Sequence, residues 1–242
     1  MNDRKLYSPE WFKKQRESAL ASAAVVLPVV IDLVDPKSVI DIGCGMGAWL
    51  GWFKDHDVSD VFGLDGDWVV ESELAIPVSA FKKVDLSKPF NVGRKADLSM
   101  SLEVGEHLPD SSADELVKNL VNAAPVALFS AAIPGQPGTG HINGQWPEYW
   151  AAKFKKHGYI PVDCIRRRVW NDSNVGYWYA QNAFIFVKES ELGRYPKLKK
   201  EVDNGFSTAL PLVHPRRYEY ALKPLPPFFF RLKRKLRHIF RL

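Results

Sequence analysis

Two glutamates and two histidines form the most reactive pattern in the chain. Glu103, Glu106 and His107 stand at positions i, i+3 and i+4, which share one face of a helical turn. His141 lies further along, in a loop rich in glycine and proline. Carboxylate and imidazole ligands together suit a divalent cation such as Mg²⁺, Mn²⁺ or Zn²⁺. A metal-free alternative makes His107 or His141 a general base, and in the simplest interpretation the Glu-His pair only shapes a pocket. Glu103, His107 and His141 are the candidate catalytic residues.

A second pattern, Asp41-Ile42-Gly43-Cys44-Gly45-Met46-Gly47, follows a short apolar strand and precedes a helix. Glycines allow a sharp turn and close approach of a ligand, and the helix N-terminus supplies amide donors. Gly43, Gly45 and Ala48 satisfy the dinucleotide fingerprint, which is a weak signal by itself. Asp65 ends the next strand, where it can accept hydrogen bonds from both hydroxyls of a ribose, a role that NAD enzymes share. A tight turn without a ligand is the alternative.

The order Asp-x-Gly-x-Gly-x-Gly resembles motif I of the class I S-adenosylmethionine-dependent methyltransferases more closely than the dinucleotide fingerprint. Val84-Asp85-Leu86 and the segment from Asp97 to Glu103 resemble later motifs of that family. The resemblance covers roughly residues 38–187 and implies S-adenosylmethionine as the cofactor. It implies these cofactor-binding residues: Asp41, Gly43, Gly45, Asp65, Asp85, Leu86 and Leu102. Taken singly, Asp85 and Asp97 are as compatible with a helix cap or a loop acid.

The Glu-x-x-Glu-His arrangement is similar to sites in two metal-using methyltransferase groups. These are the O-methyltransferases of ubiquinone biosynthesis and the enzymes that methylate the terminal 2′-hydroxyl of small RNAs. The resemblance implies a site for Mg²⁺ or Mn²⁺ with the ligands Glu103, Glu106, His107 and His141. Glu-His at this place also occurs in methyltransferases that bind no metal, so both interpretations stay open.

Two aromatic segments are candidates for binding the acceptor. The stretch from His141 to Trp150 combines aromatic, amide and carboxylate side chains, and Trp170 precedes the run from Tyr177 to Asn182. Aromatic faces with amides suit a sugar, although Trp150 and Phe154 at i and i+4 could simply belong to the core. These segments also resemble a bacterial methyltransferase family that often accompanies genes for cell-surface polysaccharides, which implies a sugar hydroxyl as the acceptor.

The elements that must position these residues alternate along the chain. Apolar strands are predicted at 38–42, 60–64, 81–84, 96–102, 125–132, 160–169 and 180–187, and helices at 48–54, 112–122 and 146–157. This alternation indicates an α/β fold with a mostly parallel sheet covered on both faces, the Rossmann-like sheet of the class I methyltransferases. A helix before the first strand is expected to pack on the domain. We predict a methyltransferase domain at 1–190 and a Pro-rich extension at 191–242.

Charge is distributed unevenly. Residues 216–242 contain nine Lys/Arg and one acid, which gives this segment a net charge of +8. The whole chain has a net charge of +5, so the rest of the chain is mildly acidic. An acidic body argues against a nucleic-acid track. Residues 228–242 have apolar positions at helical spacing and six Lys/Arg, which predicts an amphipathic helix that binds an anionic membrane surface. A helix docked on its own domain is the alternative. Two cysteines without zinc or disulfide spacing fit a reducing cytoplasm.

Together these patterns predict a cytoplasmic S-adenosylmethionine-dependent O-methyltransferase, peripheral on the inner face of the cell membrane, that modifies a hydroxyl of a glycan or its sugar precursor. The alternative acceptor is a small molecule or lipid precursor. From other classes, an NAD-binding oxidoreductase and a non-catalytic, membrane-associated scaffold remain as alternatives.

Overall fold

The computed structural model describes residues 9–222, with side chains from residue 16 onward. It divides into two compact units, Met1–Leu212 and Val213–Leu242. The described part of the second unit contains helix α8. The predicted amphipathic segment 228–242 lies outside the described residues.

Seven strands and eight α-helices are defined within residues 9–222. The strands are β1 (Ser38–Ile42), β2 (Asp60–Asp65), β3 (Phe81–Lys83), β4 (Leu98–Leu102), β5 (Val126–Ser130), β6 (Tyr159–Val162) and β7 (Phe184–Lys188). The helices are α1 (Pro9–Val34), α2 (Ala48–Asp55), α3 (Ala113–Ala123), α4 (Pro147–Lys155), α5 (Arg166–Val169), α6 (Tyr177–Asn182), α7 (Pro196–Asp203) and α8 (Pro215–Leu222).

All seven strands form one sheet in the order β3-β2-β1-β4-β5-β7-β6. The pairs from β3 to β5 are parallel, whereas β7 is antiparallel to both β5 and β6. The order reverses between β1 and β4, and ligands of open α/β sheets bind at the carboxyl edge beside such a switch point. The glycine loop after β1 and the Glu-His segment after β4 flank this point.

Apolar side chains cover both faces of the sheet. Leu50 and Phe53 of α2 belong to one buried cluster, and Leu116 and Leu120 of α3 belong to the other. All four side chains are fully buried. This confirms the predicted Rossmann-like α/β architecture, in which helices on both faces bury nearly continuous apolar strands.

Helix α1 joins the first of these clusters. Its side chains at Ala23, Val26, Leu27 and Val30 have at most 1% of their surface exposed. The segment Arg16–Val34 has the length and composition to cross a membrane, and 39% of its most apolar window is buried within the protein. Because these residues pack against the sheet and its helices, the prediction of a helix packed on the domain is confirmed.

Three sequence predictions about the end of the chain differ from the structure. The strand predicted at 160–169 ends at Val162, and Arg166–Val169 is helical. The strand predicted at 180–187 begins at Phe184, because 180–182 complete α6. The first unit extends to Leu212 rather than to 190, since α7 inserts Leu198 into the core. Contacts between distant segments set these boundaries.

Candidate active site

The glycine loop between β1 and α2 is built from left-handed backbone. Gly43, Gly45 and Gly47 have φ of 89°, 56° and 75°. A Cβ on Gly43 would stand 2.4 Å from the Val104 side chain, so this glycine brings the loop against the segment after β4. Among the described residues, a Cβ on Gly45 would meet Trp68 alone, at 3.7 Å, so this part of the chain leaves space beside the loop. Such a backbone can be approached closely by a ligand.

Asp65 stands beside this loop at the end of β2. Its carboxylate accepts hydrogen bonds from the Gly45 amide at 2.7 Å, the Gly66 amide at 2.7 Å and the Trp68 indole at 2.9 Å. Only 6% of the residue is exposed. Burial raises the pKa of Asp65, and the three donors oppose that rise. The carboxylate is thus held rigidly at the predicted place for a ribose.

Asp41, near the end of β1, is buried without a partner for one oxygen. Its Oδ1 atom has no hydrogen bond within the described part of the chain. Burial, and secondarily the charge of Asp65, raise the pKa of Asp41 to about 7. An unpaired buried carboxyl costs stability unless a ligand or water supplies the missing donor. The unpaired Oδ1 atom of Asp41, directly before the glycine loop, can therefore accept a hydrogen bond from a ligand.

Glu106, His107 and His141 come together after β4. One ligand atom from each lies within 4.8 Å of the others. Two backbone amides of the following loop, those of Ile142 and Asn143, donate to the Glu106 carbonyl and bring His141 to this position. The structure therefore assembles three of the four predicted metal ligands from segments far apart in sequence.

The Glu106 carboxylate is the most unusual group of this cluster. The side chain is fully buried, and neither oxygen forms a hydrogen bond of good geometry with a described residue, although Glu103 and the backbone of Ala132 lie close to it. His141 Nε2 stands 3.9 Å from Glu106 Oε1, too far for a hydrogen bond. Burial and the neighbouring Glu103 charge raise the pKa of Glu106 well above its ordinary value. A cation bound there would compensate this buried carboxylate.

The two imidazoles face this carboxylate with defined roles. His141 Nδ1 lies 3.1 Å from the Gln136 carbonyl, which can only accept, so Nδ1 carries the proton and Nε2 presents a lone pair. The His107 ring packs edge-on against His141 at 4.9 Å. Burial, and then the proximity of His141, lower the pKa of His107. A neutral imidazole can act as a metal ligand or as a base.

Glu103 is placed differently from the prediction that it ligates a metal. Its two carboxylate oxygens accept the side-chain amides of Gln136 and Asn182, at 2.8 and 3.1 Å. The side-chain oxygen of Gln136, Oε1, in turn accepts hydrogen bonds from the side-chain amides of Gln181 and Asn182. Because amides already hold Glu103, it lies in a buried hydrogen-bonded network beside the three-residue cluster.

Gln136 is a residue that the sequence prediction did not assign to the site. Its side chain holds Glu103 and its backbone carbonyl holds His141. The sequence offered one signal, a polar residue directly after Pro134-Gly135 in the loop that leaves β5. The network that gives the residue its role spans segments 33 to 79 residues apart from Glu103, so spacing could not reveal it.

Comparison with solved structures agrees with this topology. The sugar N-methyltransferase KedS8 from Streptoalloteichus sp ATCC 53650 superimposes with a TM-score of 0.52 at 17% identity, over 69% of this chain and 87% of that one. The chain has the fold of the class I S-adenosylmethionine-dependent methyltransferases. No protein-family model and no curated relative matches the chain.

Two further structures are similar at lower TM-scores. A TehB-like S-adenosylmethionine-dependent methyltransferase from Corynebacterium glutamicum matches at 0.49 with 16% identity, over 70% of this chain and 88% of that one. Streptomyces venezuelae DesVI matches at 0.45 with 17% identity, over 57% of this chain. The chain spans only 61% of the length of DesVI, less than two thirds.

The remaining residues that the methyltransferase resemblance implied fall into two groups. Leu86 and Leu102 are buried behind the carboxyl edge of the sheet. Asp85 is exposed there, where Lys88 and Ser87 lower its pKa to about 2. Asp97 lies at the opposite edge and accepts the amides of Lys37 and Ser38, so it ties β4 to β1. Asp97 therefore has the structural role that the sequence left open.

The two candidate acceptor segments divide between surface and core. Trp146 and Ile142 are 41% and 68% exposed, whereas Trp150 and Phe154 are buried in the apolar cluster. Residues 163–183 join β6 to β7 at the carboxyl edge and bring α6 over it. Within α6, Tyr179 packs edge-on against Trp49 of α2, with 5.1 Å between the ring centroids. The α6 segment thus closes one side of the site.

Proposed function

We propose that the protein transfers a methyl group from S-adenosylmethionine to a hydroxyl of a glycan or its sugar precursor. One observation carries this proposal. The open glycine loop with its buried carboxylates lies in contact, through Gly43 and Val104, with the segment that holds the Glu106, His107 and His141 cluster. A nucleoside-binding loop and a group of proton-accepting or metal-ligating side chains therefore share one edge of the sheet.

The residues at the glycine loop fit the methyl donor. Asp65 offers its carboxylate to the ribose, and the amides at the start of α2, which Gly47 leaves without a side-chain cap, suit the donor's carboxylate. The orphaned oxygen of Asp41 suits an ammonium group. When bound, S-adenosylmethionine supplies an electrophilic sulfonium methyl, so the protein has to align the acceptor, exclude water and assist deprotonation.

His141 is suited to accept the proton from the acceptor oxygen. In the neutral ring its Nδ1 proton is engaged by the Gln136 carbonyl, and Nε2 is then the atom that can accept a proton on the Glu106 side of the site. Glu103 keeps its position through Gln136 and Asn182 and fixes the loop that carries His141. The exposed ring of Trp146 is a candidate stacking surface for an acceptor in this proposal.

Divalent-metal assistance belongs to this proposal. Glu106, His107 and His141 would hold the ion, and the two unpartnered oxygens of Glu106 support this fit. When bound, Mg²⁺ or Mn²⁺ would lower the pKa of a coordinated hydroxyl. The metal-free alternative leaves the same proton transfer to His141 or His107.

A sugar-containing acceptor is supported by the mixture of aromatic and amide side chains at this edge and by the fold shared with the sugar N-methyltransferase KedS8. The alternative within the same chemistry is a small molecule or lipid precursor. Both acceptors present a hydroxyl to the same base.

Transfer of a radiolabelled methyl group tests the proposal. Purified protein is incubated with S-adenosylmethionine and a panel of glycans and lipid precursors, with and without EDTA. We expect labelled glycan, loss of transfer in EDTA and recovery with Mg²⁺ or Mn²⁺. Labelling of lipid precursors alone would reject the glycan acceptor. Full activity in EDTA, with no metal in the protein, would reject the metal and retain the histidine base.

Attachment to the inner face of the cell membrane is a separate part of the proposal, and it rests on the basic, apolar composition of residues 228–242. Removal of residues 225–242 should release the protein from anionic vesicles without changing its cofactor affinity. High salt should weaken attachment of the full chain, since part of the attraction is Coulombic. Equal sedimentation of both forms with vesicles would show that this segment is not the anchor.

A further inference from the structure

Trp68 occupies the open side of the glycine loop. Its indole N–H donates to Asp65 Oδ1 at 2.9 Å, and its ring stands 3.7 Å from the position that a Cβ on Gly45 would take. The residue is nevertheless 47% exposed. A large aromatic side chain therefore lies over the loop on its solvent side, held to the carboxylate that the ribose would use.

The acceptor positions of Asp65 are nearly filled in this arrangement. Each carboxylate oxygen has about two acceptor positions. Oδ1 accepts both the Gly66 amide and the Trp68 indole, whereas Oδ2 accepts the Gly45 amide alone. One position is therefore left, on Oδ2. A ribose that presents two hydroxyls needs a second acceptor position on Asp65. Of the three present donors, only the indole belongs to a side chain, so rotation of that side chain can free its position.

We propose that the Trp68 indole holds the place of a ribose hydroxyl on Asp65 and swings out when the nucleoside binds. This inference rests on the proposed function, because it concerns the same S-adenosylmethionine site. It makes Trp68 a specificity-determining residue: a ligand displaces the indole only if it returns a hydrogen bond to Asp65. A ligand without ribose hydroxyls leaves the ring in place over Gly45.

The surrounding loop allows this movement without rearrangement of the backbone. The Ala75 amide donates to the Met46 carbonyl at 2.8 Å, and a Cβ on Gly47 would stand 3.3 Å from the Ile76 side chain. These two contacts hold the end of segment 66–76, which follows β2, against the glycine loop. Trp68 lies near the beginning of segment 66–76 with almost half of its surface in solvent, which gives its side chain room to change rotamer.

Calorimetry with S-adenosylhomocysteine separates displacement from stacking. Trp68→Phe keeps an aromatic ring but removes the N–H that competes with the ribose, so binding should become about fivefold tighter, the factor equivalent to one ordinary hydrogen bond. Trp52→Phe is the matched control, since Trp52 stacks on His56 of the neighbouring helix turn and lies outside the site. Its affinity should equal that of the wild type. Weaker binding by Trp68→Phe would overturn the inference, because it would show the ring to be a stacking platform.

Fluorine NMR with 5-fluorotryptophan observes the movement itself. The two variants identify the resonances of Trp68 and Trp52, and S-adenosylhomocysteine should shift the former and leave the latter. Binding without a shift at Trp68 would overturn the inference and leave the proposed function intact. Failure of the wild type and both variants to bind would overturn both proposals together.

Discussion

The two halves of the candidate site are constructed by different means. On the cofactor side, backbone geometry within a few residues of one strand end creates the site, with Gly43 and Gly45 in left-handed conformations beside Asp65. On the acceptor side, side chains create it. Gln136 and Asn182 reach Glu103 from 33 and 79 residues away. The first half depends on which backbone angles are allowed, and the second on whether distant segments fold together.

Because of this difference, the two halves of the site should respond differently to amino-acid substitutions. A left-handed glycine that touches a neighbour has no substitute, because any Cβ introduces strain and overlap at once. A hydrogen-bonded side chain can be replaced by a similar one at a cost that depends on which donors lose an acceptor. Substitutions in the two halves should therefore differ in size and in sign.

The largest effect is expected within the glycine loop. Gly43→Ala adds a methyl group 2.4 Å from Val104 at φ of 89°, and we expect it to destabilise the fold by about 3 to 5 kcal/mol. Gly45→Ala is the matched change, since within residues 16–222 its methyl group would meet Trp68 alone, at 3.7 Å. It should cost about 1 kcal/mol in stability yet weaken S-adenosylhomocysteine binding at least about tenfold. Chemical denaturation measures the loss of stability, and calorimetry measures the loss of affinity for S-adenosylhomocysteine. Equal losses of stability would show that contact with Val104 does not matter.

The next effect concerns the buried carboxyl of Asp41. Its pKa is raised to about 7 in the folded protein, from an ordinary value of 3.8, so the folded state retains a proton that the unfolded state releases. Stability without ligand should therefore fall as pH rises from about 4 to about 7, by at most about 1.4 kcal/mol for each pH unit. Asp41→Asn should remove this contribution and make the slope shallower, leaving the part that comes from other buried acids with raised pKa, such as Asp65 and Glu106.

Asp60→Asn is the control for Asp41→Asn, because Asp60 begins the neighbouring strand and pairs with Arg94 at the surface. Its denaturation curves should follow those of the wild type between pH 4 and pH 8. If Asp41→Asn retained the wild-type slope, the carboxyl of Asp41 would be solvated or paired rather than orphaned.

The smallest effect compares two neighbouring acids on the acceptor side. Glu106→Gln removes a fully buried acid whose charged form is disfavoured by burial and by the neighbouring Glu103, so metal-free protein should gain about 1 to 3 kcal/mol. In Glu103→Gln, the new side-chain NH₂ group faces the NH₂ group of Gln136 or Asn182, so two donors meet. If the amide of Gln136 rotates to offer its oxygen instead, its NH₂ group then faces the NH₂ group of Gln181. This variant should lose about 1 to 3 kcal/mol. Denaturation in EDTA gives both values, and the same sign for both would contradict the different hydrogen bonding of the two acids.

The same contrast explains what the sequence could predict. Strand β1 and helix α2 were predicted almost to the residue, because an apolar run followed by alternating glycines has few other structures. The mostly parallel sheet also follows from that alternation, whereas the strand order and the antiparallel β7 do not. Segment 160–169 was predicted as a strand, whereas Arg166 is buried in a helix by pairing with Asp163 and by the carbonyl oxygens of Gln181 and Leu210. No local pattern contains those partners.

Within the site, the same rule holds. Asp65 was located from its position at the end of a strand, since the carboxyl edge of a parallel sheet places it beside the glycines. Glu106, His107 and His141 were grouped from spacing and loop position, and the structure brings them together. Glu103 was predicted to join them, but its amide partners come from residues whose approach only the folded chain determines. Trp68 was missed because a tryptophan in a polar turn carries no sign of its hydrogen bond.

Binding of S-adenosylhomocysteine to the wild type, Asp65→Ala and Asp60→Ala tests the central claim most directly. Asp65 and Asp60 are the two ends of the same strand, and only Asp65 adjoins the glycine loop. Calorimetry should give one site in the wild type and in Asp60→Ala. Affinity should fall by about 2 to 4 kcal/mol in Asp65→Ala, because two hydrogen bonds to a charged acceptor are lost. Thermal unfolding checks that both variants are folded. Tight binding of NADH by the wild type, with none of S-adenosylhomocysteine, would contradict the methyltransferase account.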